Sequence, residues 1–383
     1  MVDFIPEKVS AVLPMKTHFG VGVVDEVGKV VREVGNRPLV VIGGGSAGSS
    51  GALDAVTASI EREGLEWRLF EGVEPNPTVE TAAKLTGAVK EGGHDVVVGV
   101  GGGSVMDASK VGARDARTAR CVEVPTTSGT GSEVTHYAVL SVPSENRKFI
   151  QVDMALLPAA AVVDPALTQS CPPELTTVVG LDTLTHHIEG YFNTKGRSGV
   201  DSVALEGTRM VMKHLEAARR DGSDIDARVG MSKASHSGGV VIHFKPAGLP
   251  HGFSYSFYNI LPHGSAVAIL LPYCWKYYAP EIGDRSVEVA GALGVDAQGL
   301  SPEDAALAGA EALWGLYEKL GHPTSFAGVE AVDEAFIERA VNNILAEPAK
   351  LEATPRRPDH DNRFDELTAV LRAAWKGDIN AVP

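Results

Sequence analysis

The sequence predicts two unlike halves: an α/β domain on a parallel sheet over residues 1–172, then an all-α domain over residues 173–383. Three observations carry this reading. From about Pro38 to Pro165, short β-rich runs alternate with helical patterns, the order in which a parallel sheet and its crossover helices are written. The strand runs are apolar throughout rather than alternating, as strands covered on both faces must be. After Cys171-Pro172-Pro173-Glu174 the rhythm stops, and most of the remaining chain has helical spacing.

Along the chain, Val23, Val27, Val30, Val31 and Val34 can line one face of an amphipathic helix in an otherwise uninformative first segment. Leu39-Val40-Val41-Ile42 is the first clear strand, with Val96 to Val100 and Cys121 to Val124 as two more. Helices are expected over residues 52–64 and 79–92, each stopped by glycine. In the second half the expected helices run over 173–192, 201–219, 226–240, 263–278, 302–320 and 333–345. Pro173 suits the start of the first, because the opening turn of a helix has no intrahelical use for the N–H that proline lacks.

Charge and composition exclude several classes. The 383 residues carry 34 basic and 49 acidic side chains, a formal charge of −15, and no basic cluster exceeds a pair such as Arg219-Arg220. Nucleic acid and anionic membranes are therefore disfavoured as partners. The longest apolar run, Ala266 to Tyr273, contains Pro272 and is far short of the ~20 residues that span a bilayer. Cys121, Cys171 and Cys274 show no CxxC spacing, and the amino terminus lacks a signal pattern, so a cytoplasmic protein is expected.

Three glycine-rich turns come after the three strands. Val96 to Lys110, VVVGVGGGSVMDASK, runs from strand through glycines into a helix start, placing backbone N–H groups where an anion can sit. Pro125 to Thr135, PTTSGTGSEVT, offers hydroxyls and pliant backbone suited to phosphate and ribose at the carboxyl edge of a sheet. Gly43-Gly44-Gly45-Ser46-Ala47-Gly48 ends the first strand in the same way. Any one of these is an ordinary connector; three after three strands point to a nucleotide.

Gly180 to Tyr191, GLDTLTHHIEGY, places Asp182 and His186 four residues apart on one helical face. His251 and His263 each lie in the sequence LPHG. Singly, each histidine reads equally as a cap or a hydrogen-bonded core residue. Together, one carboxylate and three imidazoles form a donor set that iron or zinc accepts. His187 points ~100° away from His186 on a helix and should not share such a site.

GGGSVMDASK, PTTSGTGSEVT, the stretch from Asp164 to Leu175, GLDTLTHHIEGY and the second LPHG resemble, in the same order, the iron-containing or group III alcohol dehydrogenase family. The resemblance implies a Rossmann-like dinucleotide-binding domain, a helical metal-binding domain and an active site in the cleft between them. It implies Asp182, His186, His251 and His263 as ligands of one divalent metal, Fe2+ or Zn2+. Gly102, Gly103 and Ser104 would hold the pyrophosphate, with Asp107 near the nicotinamide end. Thr126 and Thr127 would line the cofactor, and Lys148 would reach it from the sheet. Many members carry a further histidine four residues after the third ligand; here that place holds Tyr255, leaving this phenol either to deliver the proton or to wall the pocket.

The resulting expectation is an NAD(P)-dependent aldehyde reductase or alcohol dehydrogenase acting on a small aldehyde or alcohol, assembled as a homodimer. Family acids that pair the adenosine ribose often close the first strand, where this chain has Gly43, Gly44, Gly45 and Ser46 and no acid before Asp54. NADP(H) is therefore expected to be preferred over NAD(H). The rivals are a lyase similar to dehydroquinate synthase, which would consume no cofactor overall, and a nucleotide-binding protein without catalysis.

Overall fold

Valine-rich runs with no polar side to turn outward can be satisfied only in the middle of a sheet, and six parallel strands bury them there. The structure is a computed structural model that describes residues 3–44, 51–193, 195–196, 198–347, 351–352, 354–357 and 362–383. The strands are β1 (Lys16–Phe19), β2 (Pro38–Gly43), β3 (Arg68–Val73), β4 (Val96–Gly101), β5 (Arg120–Pro125) and, after a hairpin of β6 (Tyr137–Val142) with β7 (Arg147–Val152), β8 (Ala160–Val163). Their order across the main sheet is β1-β8-β5-β4-β2-β3, and every neighbouring pair is parallel.

Alternate side chains leave the two faces of this sheet for two separate cores. Val40, Ile42, Val98, Val100, Val122 and Val124 pack with α2 (Val27–Val34) and α3 (Ala52–Arg62), the second and third helices after a short α1 (Glu7–Ser10). Leu39, Val41, Val97 and Cys121 pack on the other side with α4 (Val79–Gly92) and α5 (Gly103–Ala116). From β2 the chain moves outward to β3, then returns to place β4 on the opposite flank of β2 and continues the other way. That reversal opens a crevice at the carboxyl ends of β2 and β4, where such sheets bind ligands.

Beyond Val163 the described residues contain no strand. The helices are α6 (Pro173–Phe192), α7 (Asp201–Arg220), α8 (Ile225–Phe244), α9 (Leu249–Ser254), α10 (His263–Ile282), α11 (Asp284–Ala292), α12 (Pro302–Lys319), α13 (Glu334–Leu345) and α14 (Arg363–Lys376). Pro173 stands in the first turn of α6, and Asp224, Ser301 and Asp333 cap α8, α12 and α13 through their side chains. No described helix is long and apolar enough to cross a membrane.

The departures from the sequence reading have local causes. The valine run after Gly22 breaks into a tight 3-10 turn, Val23–Glu26, before α2 begins. Strand β3 is an edge strand with mostly exposed side chains, so it has no apolar run to betray it. Strands β1 and β8 have only four residues each. Helix α10 runs on to Ile282 through Pro272 and Pro280, each of which removes a backbone N–H from the ladder. It persists because nearly its whole length is buried, with Trp275, Tyr273, Tyr277 and Tyr278 among the most enclosed side chains of the molecule.

His322, just past α12, is buried with its ring edge-on to Tyr317 at 5.3 Å between centroids. Burial pushes its pKa down to about 4. The unfolded chain binds this proton below about 6.5, so the stability gained by keeping the ring neutral is present above that pH and is lost as pH falls toward 4. His322→Leu is expected to flatten the acid limb of a stability profile by about 2 kcal/mol between pH 7 and pH 4.5. Urea titrations of both proteins across that range check it, and parallel profiles would refute it.

Candidate active site

Strands β2, β4 and β5 end in register at one edge of the sheet, Ile42 opposite Val100 and Gly101 opposite Pro125, and the loops after β4 and β5 open there. These two loops touch. A Cβ on Gly103 would lie 2.6 Å from Thr130 Cγ2, so the glycine turn and the Pro125–Thr135 loop fit only without one. Helix α5 starts there with no side-chain cap on its first N–H groups. Beside it, Thr126 is buried with Oγ1 lacking a hydrogen-bond partner among the described residues, while its N–H donates to the Gly101 carbonyl at 2.9 Å. Free N–H groups, an unclaimed buried hydroxyl and a Cβ-free surface are what a dinucleotide phosphate and ribose need.

The second half supplies a different cluster. Asp182 and His186 project from one face of α6, a turn apart, with Asp182 Oδ1 and His186 Nε2 separated by 3.7 Å. Helix α9 brings His251 Nε2 to 3.5 Å from the same oxygen, and the first residue of α10 brings His263 Nε2 to 3.7 Å. Asp182, His186 and His251 offer ligand atoms all within 4.8 Å of one another, and His263 joins through Asp182. Asp182 Oδ1 and His251 Nε2 are buried with no hydrogen-bond partner among the described residues. Donors bound ~2.1 Å from one tetrahedral ion lie about 3.4 Å apart, so these separations, too long for hydrogen bonds, suit a shared cation.

Neighbours fix the two later histidines. Glu189, one turn beyond His186 on α6, bonds His251 Nδ1, and its other oxygen accepts from the Gly248 N–H at 2.9 Å. Ser254 Oγ lies 3.1 Å from His263 Nδ1 and donates to the His251 carbonyl at 2.7 Å. Holding Nδ1 of each ring leaves Nε2 to face Asp182. Burial opposes the Asp182 charge, yet His186, His263 and His251 hold the carboxyl well below the usual carboxylate range. Burial pushes His186 down to about 4 and His263 to about 3, each against the pull of Asp182. His251 also feels burial, but Glu189 and Asp182 outweigh it and raise it to about 10.

Other residues expected from sequence fall around these two clusters. Tyr255 packs parallel to His263, centroids 6.2 Å apart, and burial with the carboxylates of Glu347, Asp107, Asp182 and Glu189 keeps its phenol protonated. Lys148 extends from β7, so it belongs to the antiparallel hairpin and not to the parallel sheet from which it was expected to reach. Its ammonium lies 5.7 Å from the Tyr258 ring centre; burial lowers its pKa, while Asp182 and Asp107 raise it. Asp107 accepts from Ser132 Oγ at 2.6 Å and from the Val139 N–H at 2.9 Å. Ser104 Oγ accepts from the Asn76 N–H at 3.3 Å, and Gly102 packs on Thr127.

Gly43 and Gly44 end β2 as expected, whereas Gly45 and Ser46 lie outside the described residues. His187 turns away from the cluster to the Ala234 carbonyl, 2.9 Å from Nε2. Sequence reading missed Glu189 and Ser254. Glu189 had a usable signal, since it lies seven residues after Asp182 and three after His186 on the same helical face.

Comparisons with known proteins agree over nearly the full length. Residues 14–165 match the iron-containing alcohol dehydrogenase family, and residues 176–375 match the C-terminal part of the Fe-containing alcohol dehydrogenase family. The chain is 31% identical to long-chain-alcohol dehydrogenase 1 of Geobacillus thermodenitrificans, covering 96% of this chain and 97% of that one. It is 28% identical to an NAD-dependent methanol dehydrogenase of Bacillus methanolicus, covering 90% and 95%. Alcohol dehydrogenase from Oenococcus oeni superposes with a TM-score of 0.88 at 25% identity, covering 94% of this chain and 98% of that one.

Glu189→Gln would keep the acceptor for Gly248 and remove the carboxylate that orients His251. It is expected to weaken divalent-ion binding about 10–100-fold with the fold intact. Competition against a chromophoric chelator measures this, and unchanged affinity would contradict the role given to Glu189.

Proposed function

This chain belongs to the iron-containing alcohol dehydrogenase family, and from that premise we propose that it passes hydride between NADP(H) and a small aldehyde or alcohol, working as an aldehyde reductase. The observation that carries the reading is the convergence of His186, His251 and His263 on one buried oxygen of Asp182, at 3.5–3.7 Å. A divalent ion held there, iron or zinc, supplies Lewis acidity to a carbonyl oxygen, while reduced nicotinamide supplies the hydride.

The chain's own part is placement and proton control. Asp182 provides the one formal negative charge among the four ligands, and Glu189 and Ser254 aim His251 and His263 at it. Gly102, Gly103 and Ser104 receive the pyrophosphate at the start of α5, with Thr126 and Thr127 along the cofactor, Asp107 toward its nicotinamide end and Lys148 reaching the cofactor from β7. Tyr255 stands beside His263 with a phenol that burial and nearby carboxylates make a weaker acid, so it walls the pocket and delivers a proton to the substrate oxygen only where a cation held by the four ligands offsets that shift. The lyase reading is not favoured, since both halves match alcohol dehydrogenases.

We divide the chain at residues 172/173, between the last strand and α6, and place the protein in the cytoplasm as a homodimer. Cys121, Cys171 and Cys274 are free and buried, which suits a reducing compartment.

Turnover of an aldehyde panel by iron- or zinc-loaded protein tests the function, against chelated protein and Asp182→Ala. Both controls are expected to lose at least ~10³-fold of the rate, and Tyr255→Phe to lose ~10-fold or more with an altered pH profile. Chelator-insensitive turnover would remove the metal from the account.

The cofactor preference rests on the end of β2, where no carboxylate stands between Gly43 and Leu53 to pair a ribose or repel a 2′-phosphate. Catalytic efficiency with NADPH is expected to exceed that with NADH. A Cβ on Gly43 would crowd the Val73 carbonyl at 3.1 Å, whereas one on Gly44 meets nothing within 4 Å among the described residues, so Gly44→Asp is the cleaner probe. It should shift the ratio toward NADH by ~10-fold through charge repulsion. A clear NADH preference in the unaltered protein would overturn the assignment.

A further inference from the structure

The loop from Pro125 to Thr135 is fastened on two sides. Toward α5, Ser132 Oγ donates to Asp107 Oδ1 at 2.6 Å, and the buried Lys110 Nζ donates to the Ser132 carbonyl at 3.0 Å. Toward the helices, Thr183 Oγ1 donates to the Gly129 carbonyl at 2.9 Å, and the hydroxyls of Ser128 and Ser232 lie 3.0 Å apart. Gly131, at φ +61°, meets Gly239 of α8 so closely that a Cβ on it would lie 2.4 Å from Gly239 Cα. Backbone rests on backbone there, with no side chain between them to yield. Past this contact, Glu133 Oε1 lies 3.1 Å from His236 Nδ1, whose Nε2 lies 3.2 Å from Thr17 Oγ1, so the seam continues to β1.

Thr183 is the member of this seam that adjoins a candidate ligand in the chain. It is fully buried, directly follows Asp182 on α6, and shares its hydroxyl with the Val179 carbonyl of its own helix at 3.1 Å. We propose that Thr183 is a positioning residue, which by holding the Gly129 carbonyl fixes the loop bearing Thr126 and Thr127 against the helical turn bearing Asp182. The inference rests on reading those two places as the cofactor and metal sides. Hydride transfer falls steeply with misplacement, by as much as ~100-fold for an ångström, so a tether between the two sides acts on turnover more than on binding.

Thr183→Val preserves shape and removes the hydroxyl donor to the buried Gly129 carbonyl, which keeps only its interaction with the His186 ring. Thr183→Ser restores the hydroxyl, and Thr183→Ala repeats the deletion without the added methyl if the valine variant does not fold. In the zinc-loaded full chain, the deletion is expected to leave zinc content at the wild-type level and to raise amide exchange across residues 128–132 about tenfold. It should lower kcat about tenfold with little change in aldehyde KM, and the serine variant should recover both exchange and kcat to within about twofold. Unchanged exchange or kcat in the deletion, loss in proportion to zinc content, or no recovery with serine would each overturn the proposal. Wild-type turnover indifferent to chelation would instead count against the functional reading beneath it.

Discussion

A single buried carboxylate oxygen facing three imidazole nitrogens is the constraint around which the helical half is arranged. Asp182 is 3% exposed, and a charge so enclosed is tolerable only with compensation on every open side. His186 supplies part of it from the same helix, but His251 and His263 must be carried in by α9 and α10, which is why a short helix and a turn stand ahead of the long buried α10. Glu189 and Ser254 then settle which nitrogen of each later ring faces inward. The aromatic core around Trp275 and Tyr278 is continuous with this arrangement, since the Tyr278 hydroxyl accepts from the Leu249 N–H at 2.9 Å and so anchors the start of α9.

The sheet solves a different problem, ending its buried central strands β2, β4 and β5 together at one edge. The reversal of strand order between β2 and β4 makes the crevice, and the loops after β4 and β5 border it. What joins the two solutions is the loop after β5, in contact with α5 on one side and with α6 and α8 on the other. The two halves are thus held against each other in part by hydrogen bonds and van der Waals contact through this segment, and placement of that kind is the chief service an enzyme renders to a cofactor that carries its own chemistry.

Much of this was legible in the sequence because the relevant signals are local. Helix α4 and helix α6 begin and end where spacing, glycine and proline put them, and the apolar strands β2, β4 and β5 could hardly be anything else. The i, i+4 pair of Asp182 and His186 was readable for the same reason. Strands β1, β3 and β8 were not, being short or lying at an edge, and the β6–β7 hairpin carries no tight-turn signature of the kind glycine and asparagine pairs provide. Nor could spacing reveal that Thr183, one residue from a candidate ligand, reaches a carbonyl 54 positions earlier, since such a contact exists only once the two halves are packed.

The central claim is that four side chains from three helices hold one cation. A crystal structure of the protein grown with iron or zinc, with anomalous scattering collected at the metal edge, tests it most directly. The account predicts one peak bonded to the Asp182 carboxylate and to Nε2 of His186, His251 and His263, at about 2.0–2.2 Å from each. No peak there in metal-saturated protein, or an ion held without Asp182, would contradict it.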